Sequence, residues 1–124
     1  MKLNHIDLPV ADIAVARVFF EAHFELRCVF TREDGLTVLL DEDGLALTLS
    51  PLPQGEALKY PTGFHIGFNL DNEDELFDVH RRIVSAGVPI VRPLGDLAGA
   101  LTFHCQAPGP ILVEVAWRAP APQS

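Results

Sequence analysis

His65 stands in the middle of TGFHIGFNL, residues 62 to 70, an otherwise apolar run. An imidazole there can exchange hydrogen bonds, move a proton near neutral pH, or ligate a metal through a neutral ring nitrogen. A single strand histidine more often lines a pocket than holds an ion, so its company decides. Sixty residues earlier, HIDLPVAD carries His5 at the matching place. Ile6 then aligns with Ile66, Leu8 with Phe68, Val10 with Leu70 and Asp12 with Asn72. An internal repeat of this kind implies a fold built twice from one unit.

The elements that must position these histidines follow from periodicity. Asp12 and Asn72 read as helix N-caps, because their side chains can accept from free N–H groups of a first turn. After Asp12, Ile13, Ala16, Phe20 and Phe24 mark an amphipathic stripe. After Asn72, Leu76, Val79, Ile83 and Ala86 do the same, and Gly87 and Pro89 stop the helix. Three strand-like runs follow each helix: LRCVFTRE, LTVLLDEDG and LALTLSP, then PIVRPL, ALTFHCQ and ILVEVAW, with DEDG and APGP as turns. The plan is β-α-β-β-β, twice, about 3–50 and 64–117. A Pro/Gly-rich linker, 51–63, joins the halves within one domain, 1–118, and residues 119–124 read as a flexible tail.

Alternation sorts each strand into two faces. Ile6, Leu8 and Val10 share a packing face, as do Phe64, Ile66, Phe68 and Leu70. The same rule selects Leu45, Leu47 and Leu49, then Leu101, Phe103 and Cys105, then Ile111, Val113, Val115 and Trp117. The opposite faces carry His5 and Asp7; Ala46, Thr48 and Ser50; His65, Gly67 and Asn69; Thr102, His104 and Gln106; Leu112, Glu114 and Ala116. A solvated sheet face is usually rich in Lys, and this one has none. The pattern predicts curved sheets around a cavity, with these polar groups lining it. Within it Asp7 is placed to orient an imidazole, act as a base or substitute as a ligand. His104 is placed to complete a ligand set or protonate a substrate. His23 and His80, on helices among charged neighbours, read as surface residues.

The chain has 124 residues, 48% of them hydrophobic, enough for one core. The net charge of −8 excludes a nucleic-acid binder and suits a small, cationic ligand at most. Cys28 and Cys105 lie far apart in apolar runs and read as buried thiols. The absence of a signal-like or membrane-length segment predicts a soluble, cytoplasmic protein with no membrane partner. There is no GxGxxG, no phosphate loop and no GxSxG elbow.

HIDLPVADIAVARVFFEAHFEL, FHIGFNLDNEDELFDVHRRIVSAGV and the closing ILVEVAW together resemble the vicinal oxygen chelate superfamily: glyoxalase I, extradiol dioxygenases, fosfomycin-resistance and bleomycin-binding proteins. The resemblance spans residues 3 to 117. It implies an α+β fold, two βαβββ modules forming an incomplete barrel around a central cavity. It also implies metal ligands from the first and last strands of each module: His5, His65 and Glu114, with Thr48 where a fourth ligand would stand. Threonine is a poor ligand, and the turn before the last strand reads QAPGP in place of the family's Asp-Pro-Asp-Gly. A His-His-Glu set suits a divalent metal such as Fe, Mn, Zn or Ni. The activity implied is a metal-dependent lyase, isomerase or dioxygenase acting on a small substrate chelated through vicinal oxygens. Glu114, His104 and Asp7 are then the catalytic candidates, and Thr48, Asn69 and Thr102 the ligand-binding ones. The alternative is a metal-free protein that sequesters a small molecule, as the bleomycin-binding branch does. The family also implies a homodimer, with Val115 and Trp117 as candidate contacts.

Overall fold

A computed structural model describes residues 1–120; the final four residues of the expected tail lie outside the described residues. The elements run β1 (His5–Val10), α1 (Ile13–Phe24), β2 (Arg27–Thr31), β3 (Thr37–Leu40), β4 (Ala46–Pro51), β5 (His65–Asn69), α2 (Glu73–Ser85), β6 (Ile90–Leu97), β7 (Ala100–Ala107) and β8 (Ile111–Trp117). This is the βαβββ plan, twice. Met1–Tyr60 forms the body of one compact unit; Pro61–Ala107 and the strand from Ile111 form the other.

Each unit is an open four-stranded sheet with a helix on one face. The strand orders are β1-β4-β3-β2 and β5-β8-β7-β6, and in each the first strand runs parallel to the last. A parallel neighbour requires a crossover, and the helix and the hairpins after it supply the chain length. The histidine-bearing strands β1 and β5 are therefore sheet edges.

The helices begin where capping chemistry says they should. Asp12 Oδ1 accepts from Val15 N at 3.1 Å and Asn72 Oδ1 from Glu75 N at 2.8 Å. Glu73, Asp74 and Glu75 crowd the first turn of α2, favourably placed against its dipole. Gly87, at φ 76°, takes the left-handed turn that ends the helix. α1 ends differently: Glu25 adopts φ 58° where glycine is the usual solution.

The expected stripes are buried at Ala16, Phe20, Leu76, Val79 and Ile83, with Phe19 added in α1. Ala86 is instead the exposed C-cap of α2. Packing faces hold for Leu8, Val10, Leu47, Leu49, Phe103, Cys105, Ile111, Val113 and Val115, all buried. Further expectations are corrected. Phe64 is 40% exposed, because it precedes β5 and closes a turn, its N–H donating to Pro61 O. Val115, fully buried under α2's side of the sheet, has no surface to offer a partner. His80 is not a free surface residue: its ring packs edge-on against Phe103 with centroids 4.9 Å apart. Of the thiols only Cys105 is buried, which pushes it up to about 11; Cys28 is partly exposed in the irregular β2.

These burials set unequal costs for two repeat-equivalent residues. Leu8, 2% exposed, should lose about 2–5 kcal/mol on replacement by alanine. Phe68 is only half-buried on edge strand β5, so Phe68→Ala should cost less, roughly 1–2 kcal/mol. Urea melts in which the two losses came out reversed would mean that the faces of β1 and β5 are misassigned.

Candidate functional site

The open face of the second sheet gathers the chemistry. Alternation in β8 turns Ile111, Val113 and Val115 to the core, leaving Glu114 on the other side. Glu114 pairs with Gly67 on parallel β5 and with His104 on antiparallel β7, and His104 pairs in turn with Arg92 on β6. The row Gly67–Glu114–His104–Arg92 thus crosses all four strands. His104 Nε2 lies 3.2 Å from Glu114 Oε1. The His65 and His104 rings stand 5.9 Å apart between centroids, tilted by 53°. Gly67 lies beside the carboxylate: a Cβ there would stand in ordinary contact with Glu114 Oε2, at 3.5 Å.

His65 is exposed, not packed against a helix. Its Nδ1 lies 2.9 Å from Gly63 O. A carbonyl oxygen only accepts, so Nδ1 carries the hydrogen and a neutral ring keeps its lone pair on Nε2. His5 repeats the arrangement in the first unit, its Nδ1 2.6 Å from Asn4 Oδ1. In both histidines the Nδ1 atom is tied to an oxygen acceptor, which leaves the lone pair of the neutral ring on Nε2.

Among the described residues, no three His, Cys, Asp or Glu side chains are gathered as an ion-holding group. By residue type alone, an imidazole on each first strand and a carboxylate on β8 are donors that a divalent cation accepts.

The other expected residues fall as follows. Thr48 is half-buried and pairs with Asp7 across β4 and β1. It holds the place that Glu114 holds in the second unit, so the first unit offers no carboxylate at its last strand. Asp7 does not orient His5, since Asn4 does; its Oδ1 accepts from Ser50 Oγ at 2.6 Å. Nearby, the Tyr60 hydroxyl donates to Pro9 O, and burial followed by the Asp7 charge raises its pKa. Asn69 is exposed on the His65 face of β5. Thr102 shares the His104 face but is 2% exposed, its hydroxyl donating to Ala100 O at 3.2 Å.

Sequence reasoning missed Asn4, Gly63 and Arg92. Asn4 was visible as the neighbour of His5. Gly63 acts through its backbone, and Arg92 reaches the row only because β6 is irregular between Ile90 and Gly95. A groove of about 800 Å³ runs along the outside of α2, past Phe77, His80, Arg81 and Val84, and includes none of the candidate residues. No helix among the described residues is long and apolar enough to cross a membrane.

Two open βαβββ modules, each with a histidine on its first strand, define a glyoxalase-like fold. The model of the Glyoxalase/Bleomycin resistance protein/Dioxygenase superfamily matches residues 2–115, and the chain belongs to that superfamily. Among solved structures, a possible glyoxalase from Bacillus cereus is 35% identical over 94% of this chain and 98% of its own, with a TM-score of 0.82. The fosfomycin resistance protein FosX from Listeria monocytogenes is 21% identical over 96% and 94%, at 0.80. A glyoxylase/bleomycin resistance protein/dioxygenase domain from Frankia is 17% identical over 96% and 98%, at 0.81. The last two likenesses concern the fold alone. No curated protein matches the chain.

Proposed function

We propose that this chain is a divalent-metal-dependent enzyme acting on a small substrate that presents two adjacent oxygens, with His5, His65 and Glu114 as the protein ligands. The observation that carries the reading is the pair of imidazoles whose Nδ1 atoms are tied to Asn4 Oδ1 and Gly63 O, each leaving Nε2 for a ligand. When bound, the cation supplies Lewis-acid polarisation of the substrate oxygens. The remaining work belongs to side chains. Glu114 presents Oε2 over Gly67, and Asp7, steadied by Ser50, presents Oδ2 as a proton acceptor. The likeness to a possible glyoxalase and to FosX supports chemistry on small molecules without selecting lyase, isomerase or dioxygenase.

The second reading is a metal-free binding protein. It is favoured by the lack of a three-donor group among the described residues and by the net charge of −8, suited to a cationic ligand. Elemental analysis of protein purified without added metal separates the two, with chelator-treated protein as the blank. The first reading expects close to one Fe, Mn, Zn or Ni per ligand set; blank-level metal would reject it.

We also propose a homodimer. Each sheet ends on edge strands, β1 and β2 or β5 and β6, and exposed edges are normally covered. Trp117, partly exposed, stays a candidate contact; Val115 does not. Sedimentation equilibrium at micromolar concentration should give twice 13.6 kDa, and a species of 13.6 kDa would overturn the proposal.

A further inference from the structure

The two oxygens of Glu114 have different neighbours. Oε1 lies 3.2 Å from His104 Nε2, while Oε2 lies beside Gly67, 3.5 Å from where a Cβ on that residue would stand. A carboxylate accepts only, so Nε2 carries the hydrogen of that bond. The His104 side chain is 15% exposed and that of Glu114 30%, so the imidazole is the more sheltered partner of the pair. Its ring centroid stands 5.9 Å from that of His65, the two rings tilted by 53°.

The first unit is an internal control. Its matching row is Asp7–Thr48–Val38, with an aliphatic residue where His104 stands. The fold therefore does not require an imidazole at this place in β7. It occurs in the unit whose last strand carries the carboxylate.

We infer that His104 is a positioning residue for Glu114: its Nε2–H anchors Oε1 and leaves Oε2 as the oxygen that would serve a cation. The inference rests on the reading of Glu114 as a cation ligand given above. It assigns His104 a role through Glu114 in place of proton transfer to substrate, and it makes the carboxylate a one-oxygen ligand.

The test is Mn(II) binding to metal-stripped, full-length protein, followed by the electron paramagnetic resonance signal of free Mn(II). His104→Leu should weaken binding about 10–100-fold, as is usual when the hydrogen-bond partner of a ligand is removed. His104→Gln keeps an N–H at a similar reach and should recover most of the loss. Thermal melts of each variant separate this from a merely structural role, which would lower stability and leave the affinity of the folded fraction unchanged. Should leucine fail to fold there, His104→Asn, polar but too short to bridge to Oε1, takes its place. Wild-type affinity in His104→Leu, or equal losses in the Leu and Gln variants, would overturn the inference. If Glu114→Gln abolishes Mn(II) binding while His104→Leu does not, only the inference falls. If Glu114→Gln leaves Mn(II) binding untouched, or the wild type binds none, the ligand role of Glu114 falls and the inference with it.

Discussion

Phe103→Ala is expected to lower the free energy of unfolding by about 3–5 kcal/mol, the range for emptying a buried aromatic site. Phe103 is fully buried on β7, an interior strand of its sheet, so the backbone around it is held on both sides and cannot easily collapse into the gap. Its ring is capped edge-on by His80, and truncation would remove that contact too. Phe64→Ala is the matched control: the same side chain, 40% exposed and outside the strand, should cost under about 1 kcal/mol. Urea denaturation of the two variants against the parent measures both. A loss below about 1 kcal/mol for Phe103→Ala would mean that the packing face of β7 is wrong.

The same contrast explains how far the sequence could be read. Elements were legible because their signals are local. The caps at Asp12 and Asn72, the stripe of α2 and the alternation in β7 and β8 each follow from side-chain geometry within a few residues. Phe64 misled because alternation was carried one residue past the start of the strand, into a turn. β6 was longer than the run PIVRPL suggested. It continues to Leu97 through two irregularities and turns at Ala98 and Gly99, where Ala98 takes a φ of 52° that no glycine announces. Val115 shows the reverse error: an apolar residue near the end of the chain looked available, yet α2 packs on β8 and buries it.

For the candidate site, the face of each donor was legible and its hydrogen bonds were not. Placing His104 opposite Glu114 needs the register of the β7–β8 hairpin, which depends on the geometry of the turn at residues 107–110. Placing His65 Nδ1 on Gly63 O needs a backbone carbonyl whose direction no residue type encodes. The repeat was informative about position and silent about chemistry: Thr48 and Glu114 occupy matching places with side chains of different ligating power.

Under the proposed ligand set, removing His65 or Glu114 should have the largest effect on binding. His65→Ala and Glu114→Ala are each expected to weaken divalent-metal binding by at least about 100-fold, beyond the 10–100-fold range for loss of a ligand's hydrogen-bond partner. The fold should tolerate both changes, because His65 is exposed on an edge strand and Glu114 lies on the open face with its side chain 30% exposed. Asn4→Leu should give a smaller loss, about 10-fold, since it leaves His5 in place and removes only the acceptor that fixes its tautomer. The graded order, Ala variants worst and Asn4→Leu intermediate, is what distinguishes a built site from adventitious binding to a chain with 17 acidic residues. Adventitious binding would respond to ionic strength and not to which residue is changed. Titration of metal-stripped protein with Mn(II) or Zn(II) at moderate salt measures all three variants. Retention of wild-type affinity in His65→Ala would exclude His65 as a ligand and return its imidazole to the simpler part of a pocket wall.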